Sequence, residues 1–308
     1  MITAANLTEP FRVERFDHRL SQFDLNFENL VIHSRLRKFE KTVPDSGLSI
    51  KLGVSGEENY EIDRTNYVLK PGKFLVVNKH QNFDVQIDSS EWVEAICFYL
   101  SESVMREAYA TISRKEEEKL DTPFEMPLGR MVFLEKLFNS AESELGRFLE
   151  GIKPYLLKNE LSTIADPSEF FYTLAEKLLR SQLEIDQQIE QIPSSKQSTK
   201  EELYRRLSIA KSYILDHYTT NIKLDELSKV AYLSKFHLLR TYKKVFGITP
   251  YQEVLRLRLQ KATELIPGDQ SLEEIAHEVG FSDRRSFAKA FRKAMNCSPS
   301  EYKRQLFI

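Results

Sequence analysis

Residues 224–250 read LDELSKVAYLSKFHLLRTYKKVFGITP, and residues 272–299 read LEEIAHEVGFSDRRSFAKAFRKAMNCSP. The second stretch repeats the first. Leu224, Leu227, Leu233 and Ser234 match Leu272, Ile275, Phe281 and Ser282, all 48 residues on. One residue is then inserted, and Leu238, Tyr242, Gly247 and Pro250 match Phe287, Phe291, Asn296 and Pro299 at a spacing of 49. The pair Lys243 and Lys244 matches Arg292 and Lys293 in the same way.

Each copy predicts a short helix, a tight turn and a second helix. Asp225 and Glu226, like Glu273 and Glu274, put negative charge in a first helical turn, where the helix dipole favours it. Gly280 supplies the positive φ that the second turn needs, whereas Tyr232 in the first copy predicts a turn of different build. Ser234 and Ser282 are expected to cap the helices that follow. Gly247 and Asn296 end those helices, being the two residue types that best tolerate a left-handed position. The pattern is helix-turn-helix, twice.

The second helix of each copy, expected over about 235–246 and 283–295, divides into two faces. Leu238, Thr241, Tyr242 and Val245 form one inward stripe, and Phe287, Ala290, Phe291 and Ala294 the other. That leaves Phe236, Leu239, Arg240 and Lys243 outward in the first, and Arg285, Ala288, Lys289 and Arg292 outward in the second, with Arg284 beside them. A cationic outer face on one helix is ordinarily just a solvated one. Its repetition at matching positions is the informative fact, because cations aimed outward suit phosphates and guanine edges. Exposed Phe236 and Leu239 suit thymine methyls.

Charge divides the chain in the same place. Residues 203–308 carry 19 Lys and Arg against 11 Asp and Glu, a net of +8 inside a chain whose total is −2. A basic third on an acidic body points to a polyanionic partner for one end.

Residues 205–306 resemble the DNA-binding domain of the AraC/XylS transcription regulators. The stretches that carry the likeness are Ile275-Ala276 with Val279-Gly280-Phe281, Phe287 with Phe291-Arg292-Lys293, and Ser298 through Tyr302. The resemblance implies two helix-turn-helix units joined by one long helix, expected at Pro250–Leu265, with both recognition helices in successive major-groove segments. By position, Phe236, Leu239 and Arg240 would face bases in the first unit, and Arg284, Arg285, Ala288 and Lys289 in the second. Lys235 and Lys243 would contact the backbone. Three residues depart from the family pattern: Leu239 replaces a polar reader, Glu253 stands where an aromatic is usual, and Asn296 replaces a glycine.

The N-terminal part reads differently. Leu48–Val54, Asn59–Ile62, Asn66–Leu69, Lys73–Asn78, Phe83–Ile87 and Val93–Leu100 are short strand-like runs separated by turn residues. Phe83, Val85 and Ile87 alternate with Asp84, Gln86 and Asp88, as half-buried antiparallel strands do. This predicts a β-rich domain over 1–126, similar around Tyr67–Asn78 to the family's cupin-like sensing domain. Phe74, Phe83, Trp92 and Tyr99 are candidate lining residues for a small-molecule effector. Met131, Leu134, Phe138, Ala141, Leu145 and Phe148 then fall at helical spacing. A further helix follows Asp166-Pro167, with Phe171, Leu174, Leu178, Ile185 and Ile189 as its stripe. Residues 127–192 are thus expected to be a helical segment that packs either on the chain's own sheet or against a partner chain, and the resemblance favours dimerisation through it. Residues 193–202 read as a polar linker and 203–308 as the DNA-binding domain.

His18, His33 and His80 are isolated and no His-x-His occurs, so neither metal nor other cofactor is expected. No Gly-rich phosphate loop or Cys-x-x-Cys is present either. Cys97 and Cys297 form no disulfide framework, and the N-terminal residues show no apolar signal core, which together suit the cytoplasm. No apolar run is long enough for a membrane helix. The expected molecule is a multidomain, non-enzymatic bacterial-type transcription regulator. Its expected partners are double-stranded DNA, a second copy, a small-molecule effector and RNA polymerase. The competing reading is a cupin-type enzyme with an accessory DNA-binding domain.

Overall fold

The computed structural model describes residues 11–13, 29–114, 132–158, 160 and 166–306. It divides into two compact units, Met1–Asp186 and Gln187–Ile308.

The first unit is a nearly closed barrel of cupin type. Its strands are β1 (Phe11–Val13), β2 (Leu30–Ser46), β3 (Ser49–Ser55), β4 (Glu58–Ile62), β5 (Thr65–Leu69), β6 (Lys73–Val77), β7 (Gln81–Tyr99) and, after helix α1 (Glu102–Arg114), β8 (Leu137–Asn139). β7 organises the sheet. It pairs antiparallel with β2 along most of its length, and its other edge takes β4 at Phe83–Gln86 and β3 at Glu94–Tyr99. Phe83, Val85 and Ile87 are buried, as the alternation predicts, and belong to one long strand with Val93–Tyr99. The runs read as two strands are one because residues 89–92 bulge out of register rather than turn. β2 was not legible in the sequence: its outer half, Arg37 to Thr42, is charged on the exposed face and weakly apolar on the other.

The helical stripe expected from Met131 begins only at Glu144. Met131 lies outside the described residues. Leu134 lies in neither a helix nor a strand, Phe138 is in β8, and Ala141 follows it in a turn. β8 pairs with β6, stacking Phe138 on Phe74 at 4.8 Å, so 127–192 adds a strand to the sheet as well as helices. α2 (Glu144–Lys158) and α3 (Pro167–Glu190) follow. Asp166 caps α3, accepting hydrogen bonds from the backbone N–H groups of Ser168 at 2.8 Å and Glu169 at 3.3 Å. Phe171, Leu174, Leu178, Ile185 and Ile189 are buried within the single chain, and Phe170 packs on Phe98 of β7 at 6.2 Å. The stripe is therefore buried by this chain's own residues. Trp92 also corrects the expected pocket lining. Phe74, Phe83 and Tyr99 are buried, whereas Trp92 is 37% exposed and is flanked by the guanidinium groups of Arg35 and Arg37.

The second unit is helical: α4 (Gln197–His217), α5 (Leu224–Val230), α6 (Lys235–Phe246), α7 (Pro250–Leu265), α8 (Leu272–Glu278), α9 (Arg284–Met295) and α10 (Pro299–Gln305). The polar stretch read as a linker over 193–202 is non-helical only up to Lys196, since α4 already begins at Gln197. α7 has the bounds that the sequence predicts, with Thr249 as cap and Pro250 at its first position.

Candidate nucleic-acid interface

Each helix-turn-helix unit is closed by aromatic packing. In the second, Phe281, Phe287, Phe291 and Tyr302 form a chain of rings with successive centroids 5.4, 5.6 and 5.5 Å apart. Burying Phe287 and Phe291 completely stabilises this unit by about 2–3 kcal/mol each. In the first, Tyr242 meets Phe246 edge-on at 4.7 Å, and Leu238, Thr241 and Val245 are buried beside it. Ala294, expected inward, is exposed: α9 needs only its two phenylalanines to fill the contact.

The two turns share one backbone device. Tyr232 has φ +52° and Gly280 φ +94°, so the first turn is left-handed at the matching position, contrary to the expectation of a different build. The residue types differ because the surroundings do. Tyr232 is 80% exposed, whereas a Cβ at Gly280 would lie 2.2 Å from the carbonyl oxygen of Thr219. Arg258 of α7 grips the same segment, donating from Nε to Tyr218 O at 2.6 Å and from Nη2 to Thr220 O at 2.7 Å. The end of α4 is thus held by the linking helix and by the second turn together. Nothing in the sequence marked Arg258, because a lone arginine on an amphipathic helix looks like any solvated cation.

The capping assignments hold for the first copy and shift for the second. Ser234 Oγ accepts from His237 N at 3.3 Å. In α9 the cap is Asp283, whose Oδ1 accepts from Ser286 N at 2.7 Å, and Ser282 only donates its hydroxyl to Asp283 Oδ2. The residue inserted in the second copy moves the helix start by one. The Ser286 backbone N–H, then the Ser286 and Ser282 hydroxyls, hold the Asp283 carboxyl below its ordinary range. A carboxyl with a depressed folded-state value stabilises above its unfolded pKa and loses that contribution as the pH falls. Asp283→Ala is therefore expected to lower the Tm of this unit by about 3–6 °C at neutral pH. The deficit will shrink below about pH 4, and Ser282→Ala will have little effect. Thermal unfolding of the three proteins at pH 7 and pH 3.5 reads this directly.

Outward of these cores lie the residues predicted to read DNA. Lys235, Phe236, Arg240 and Lys243 on α6 are exposed and Leu239 is half-buried. Arg284, Arg285, Lys289 and Arg292 on α9 are exposed and Ala288 is half-buried. Phe236 is the most solvent-accessible of the large apolar side chains described, at 86%. Lys235 differs from the rest, since its ammonium pairs with Asp225 at 2.5 Å. Among the described residues, Arg240, Lys243, Arg284, Arg285 and Lys289 make no ion pair. Unpaired cations at i, i+4 spacing raise the local potential and are left free to meet an external anion. Glu253, the departure in α7, is buried and accepts from Arg256 Nη2 at 2.6 Å, so a charge pair occupies the place of an aromatic.

The family model of the AraC-like ligand binding domain matches residues 30–150, and that of a helix-turn-helix domain matches residues 227–305. The chain is thus similar to AraC family regulators in both of its units. Among curated AraC-type relatives, the probable transcriptional regulator LumQ of Photobacterium leiognathi is 42% identical over 98 residues, 32% of this chain and 39% of that protein. The MmsAB operon regulatory protein of Pseudomonas aeruginosa is 34% identical over 96 residues, 31% of either chain. Of the solved AraC-type structures, the C-terminal domain of AraT, a response regulator from Geobacillus stearothermophilus, is 30% identical, with a TM-score of 0.32 over 32% of this chain and 84% of that one. The chain spans at most 39% of the length of these two curated relatives. Among the described residues, no helix is long and apolar enough to cross a membrane.

Proposed function

We propose that this chain is a sequence-specific, double-stranded DNA-binding transcription regulator, acting in the cytoplasm rather than as an enzyme. Residues 203–308 read DNA, and the N-terminal region modulates that reading through a small molecule or dimerisation. The observation that carries the proposal is the duplicated outward face: two helices with matching, unpaired cations on a net +8 segment. Each protomer would set α6 and α9 into major-groove segments about one helical turn, ~34–36 Å, apart. Because the two units share one chain and differ in sequence, the site they read is asymmetric. A homodimer would read two such sites, with RNA polymerase as a further partner.

Selection of bound duplexes from a random pool by the full-length protein tests this. The expected product is an asymmetric site with two patches a helical turn apart, doubled if the protein dimerises. Failure to enrich any sequence at moderate salt would sink the proposal. The enzyme reading instead requires stoichiometric bound metal, which an elemental assay on the same preparation measures.

The chemistry of the two faces differs, and so do their expected effects. Phe236→Ala will leave unfolding within about 0.5 kcal/mol of wild type, because the ring is exposed. It will weaken binding to the selected site about tenfold through lost thymine-methyl contact. Replacing thymine by uracil in the half read by α6 will weaken the wild type similarly and the variant hardly at all. Equal losses for both proteins would place the ring elsewhere.

A further inference from the structure

The turn of the first helix-turn-helix unit carries two exposed side chains that neither its core nor its outward helix face uses. Tyr232 holds φ +52° and is 80% exposed. Left-handed backbone is unfavourable for a residue with a Cβ, and a tyrosine has none of the local hydrogen bonding that lets asparagine or aspartate visit it. No packing offsets this. Among the described residues the phenol makes no hydrogen bond and the ring meets no other ring. A strained residue with no structural reason for its side chain points to function.

The backbone beneath it is pinned. The Tyr232 N–H donates to Lys229 O at 3.1 Å, and its carbonyl accepts from Arg206 Nη1 at 3.3 Å. Lys229, in the last turn of α5, is exposed and makes no ion pair among the described residues. An ammonium and a phenol O–H therefore project from one fixed turn. The second copy has His277 and Gly280 at these positions, 48 residues on. The pair belongs to the first copy alone.

The repeat also gives the direction. A Cβ at Gly280 would point at Thr219, at the end of α4, and α4 packs on α5 and α6 of the first helix-turn-helix unit. Two copies docked one helical turn apart are related by a translation along the duplex. The vector that runs from Gly280 towards the first helix-turn-helix unit therefore runs, from Tyr232, away from the second. It leads over the duplex beyond the segment that α6 reads. A cation and an O–H donor suit the phosphodiester oxygens found there, which accept from lysine and tyrosine alike.

We propose that Lys229 and Tyr232 bind a backbone phosphate of the duplex outside the segment read by α6, on the side away from α9. This contact rests on the regulator function proposed above. It sets register and affinity and carries no sequence preference.

The test uses the full-length protein with its selected site in a long duplex and in one that ends at the edge of the α6 segment. Wild type is expected to bind the trimmed duplex about tenfold more weakly, and the long one equally well whatever sequence fills the flank. Tyr232→Phe will weaken binding to the long duplex about threefold, the loss of one hydrogen bond. Lys229→Ala will lower the slope of log affinity against log salt by about 1. The double variant Lys229→Ala with Tyr232→Gly will bind both duplexes alike, about tenfold more weakly than wild type binds the long one. Tyr232→Gly alone will unfold at or above the wild-type temperature, because glycine takes φ +52° without strain, so its weaker binding is not a folding defect. The proposal is overturned if trimming leaves wild-type affinity unchanged or if the double variant binds the long duplex as wild type does. It is also overturned if the variants weaken only the cooperative binding of a second copy to a doubled site, which would make this turn a protein contact. Absence of wild-type binding to any selected duplex defeats the regulator reading instead.

Discussion

Gly280→Ala will destabilise the second unit by about 2–5 kcal/mol, far more than any other single methyl group added to its turns. Two terms add. The left-handed backbone at φ +94° costs an alanine about 1–2 kcal/mol. A Cβ placed 2.2 Å from the Thr219 carbonyl oxygen forces apart backbone that Arg258 holds in place, an overpacking cost of about 1–3 kcal/mol. Gly247→Ala is the internal control. Gly247 is also left-handed, at φ +77°, but nothing lies within 4 Å of where its added methyl would sit, so only the backbone term applies. Denaturant unfolding of both variants measures the difference. Equal losses would mean that Thr219 moves aside freely and that the end of α4 is not a fixed joint between the two helix-turn-helix units.

Reversing two charges on α9, Arg285→Glu with Lys289→Glu, will weaken binding to the selected site about 10³-fold at moderate salt. Each side chain removed from a base or phosphate costs about 1–3 kcal/mol, and each reversal adds repulsion. Both residues are exposed and make no ion pair among the described residues, so the fold loses nothing and the unfolding transition stays in place. The slope of log affinity against log salt will fall by up to about 2, because fewer counterions are released. Lys235→Ala is the contrast: its charge is already met by Asp225 at 2.5 Å, so binding will change less than threefold. A double reversal that leaves affinity within tenfold would place DNA on another surface.

The outward faces of α6 and α9 were legible in the sequence almost completely, and the barrel only in part. Helix faces follow from a period of 3.6 that depends on nothing distant, so Phe236, Arg240, Arg285 and Lys289 could be placed outward before any packing was known. A duplicated pattern also checks itself, since a chance alignment would not have put Leu238 and Phe287 at the same point of both cores. The cap of α9 escaped by one residue because Ser282 and Asp283 are both good caps, and only the path of the turn chooses between them. Strand register has no such local signal. The bulge at 89–92 looks like a turn in sequence, and β2 hides because its partner β7, some fifty residues on, supplies the burial that its own residues do not advertise.

What the sequence determined by itself was local: two helix-turn-helix copies, the linking helix α7, the left-handed ends at Gly247 and Asn296, and the sign of the outward charge. These rest on backbone preferences and short-range periodicity, which a chain carries wherever it folds. What tertiary structure decided was every property that needs two distant segments. It brought Thr219 against Gly280, with Arg258 holding Tyr218 and Thr220 on either side, and it set Phe170 of α3 against Phe98 of the sheet. It also buried Lys51 beside Tyr99. A lysine in a strand reads as solvent-facing because burying its charge is costly, and only the closed barrel shows that this one is inside.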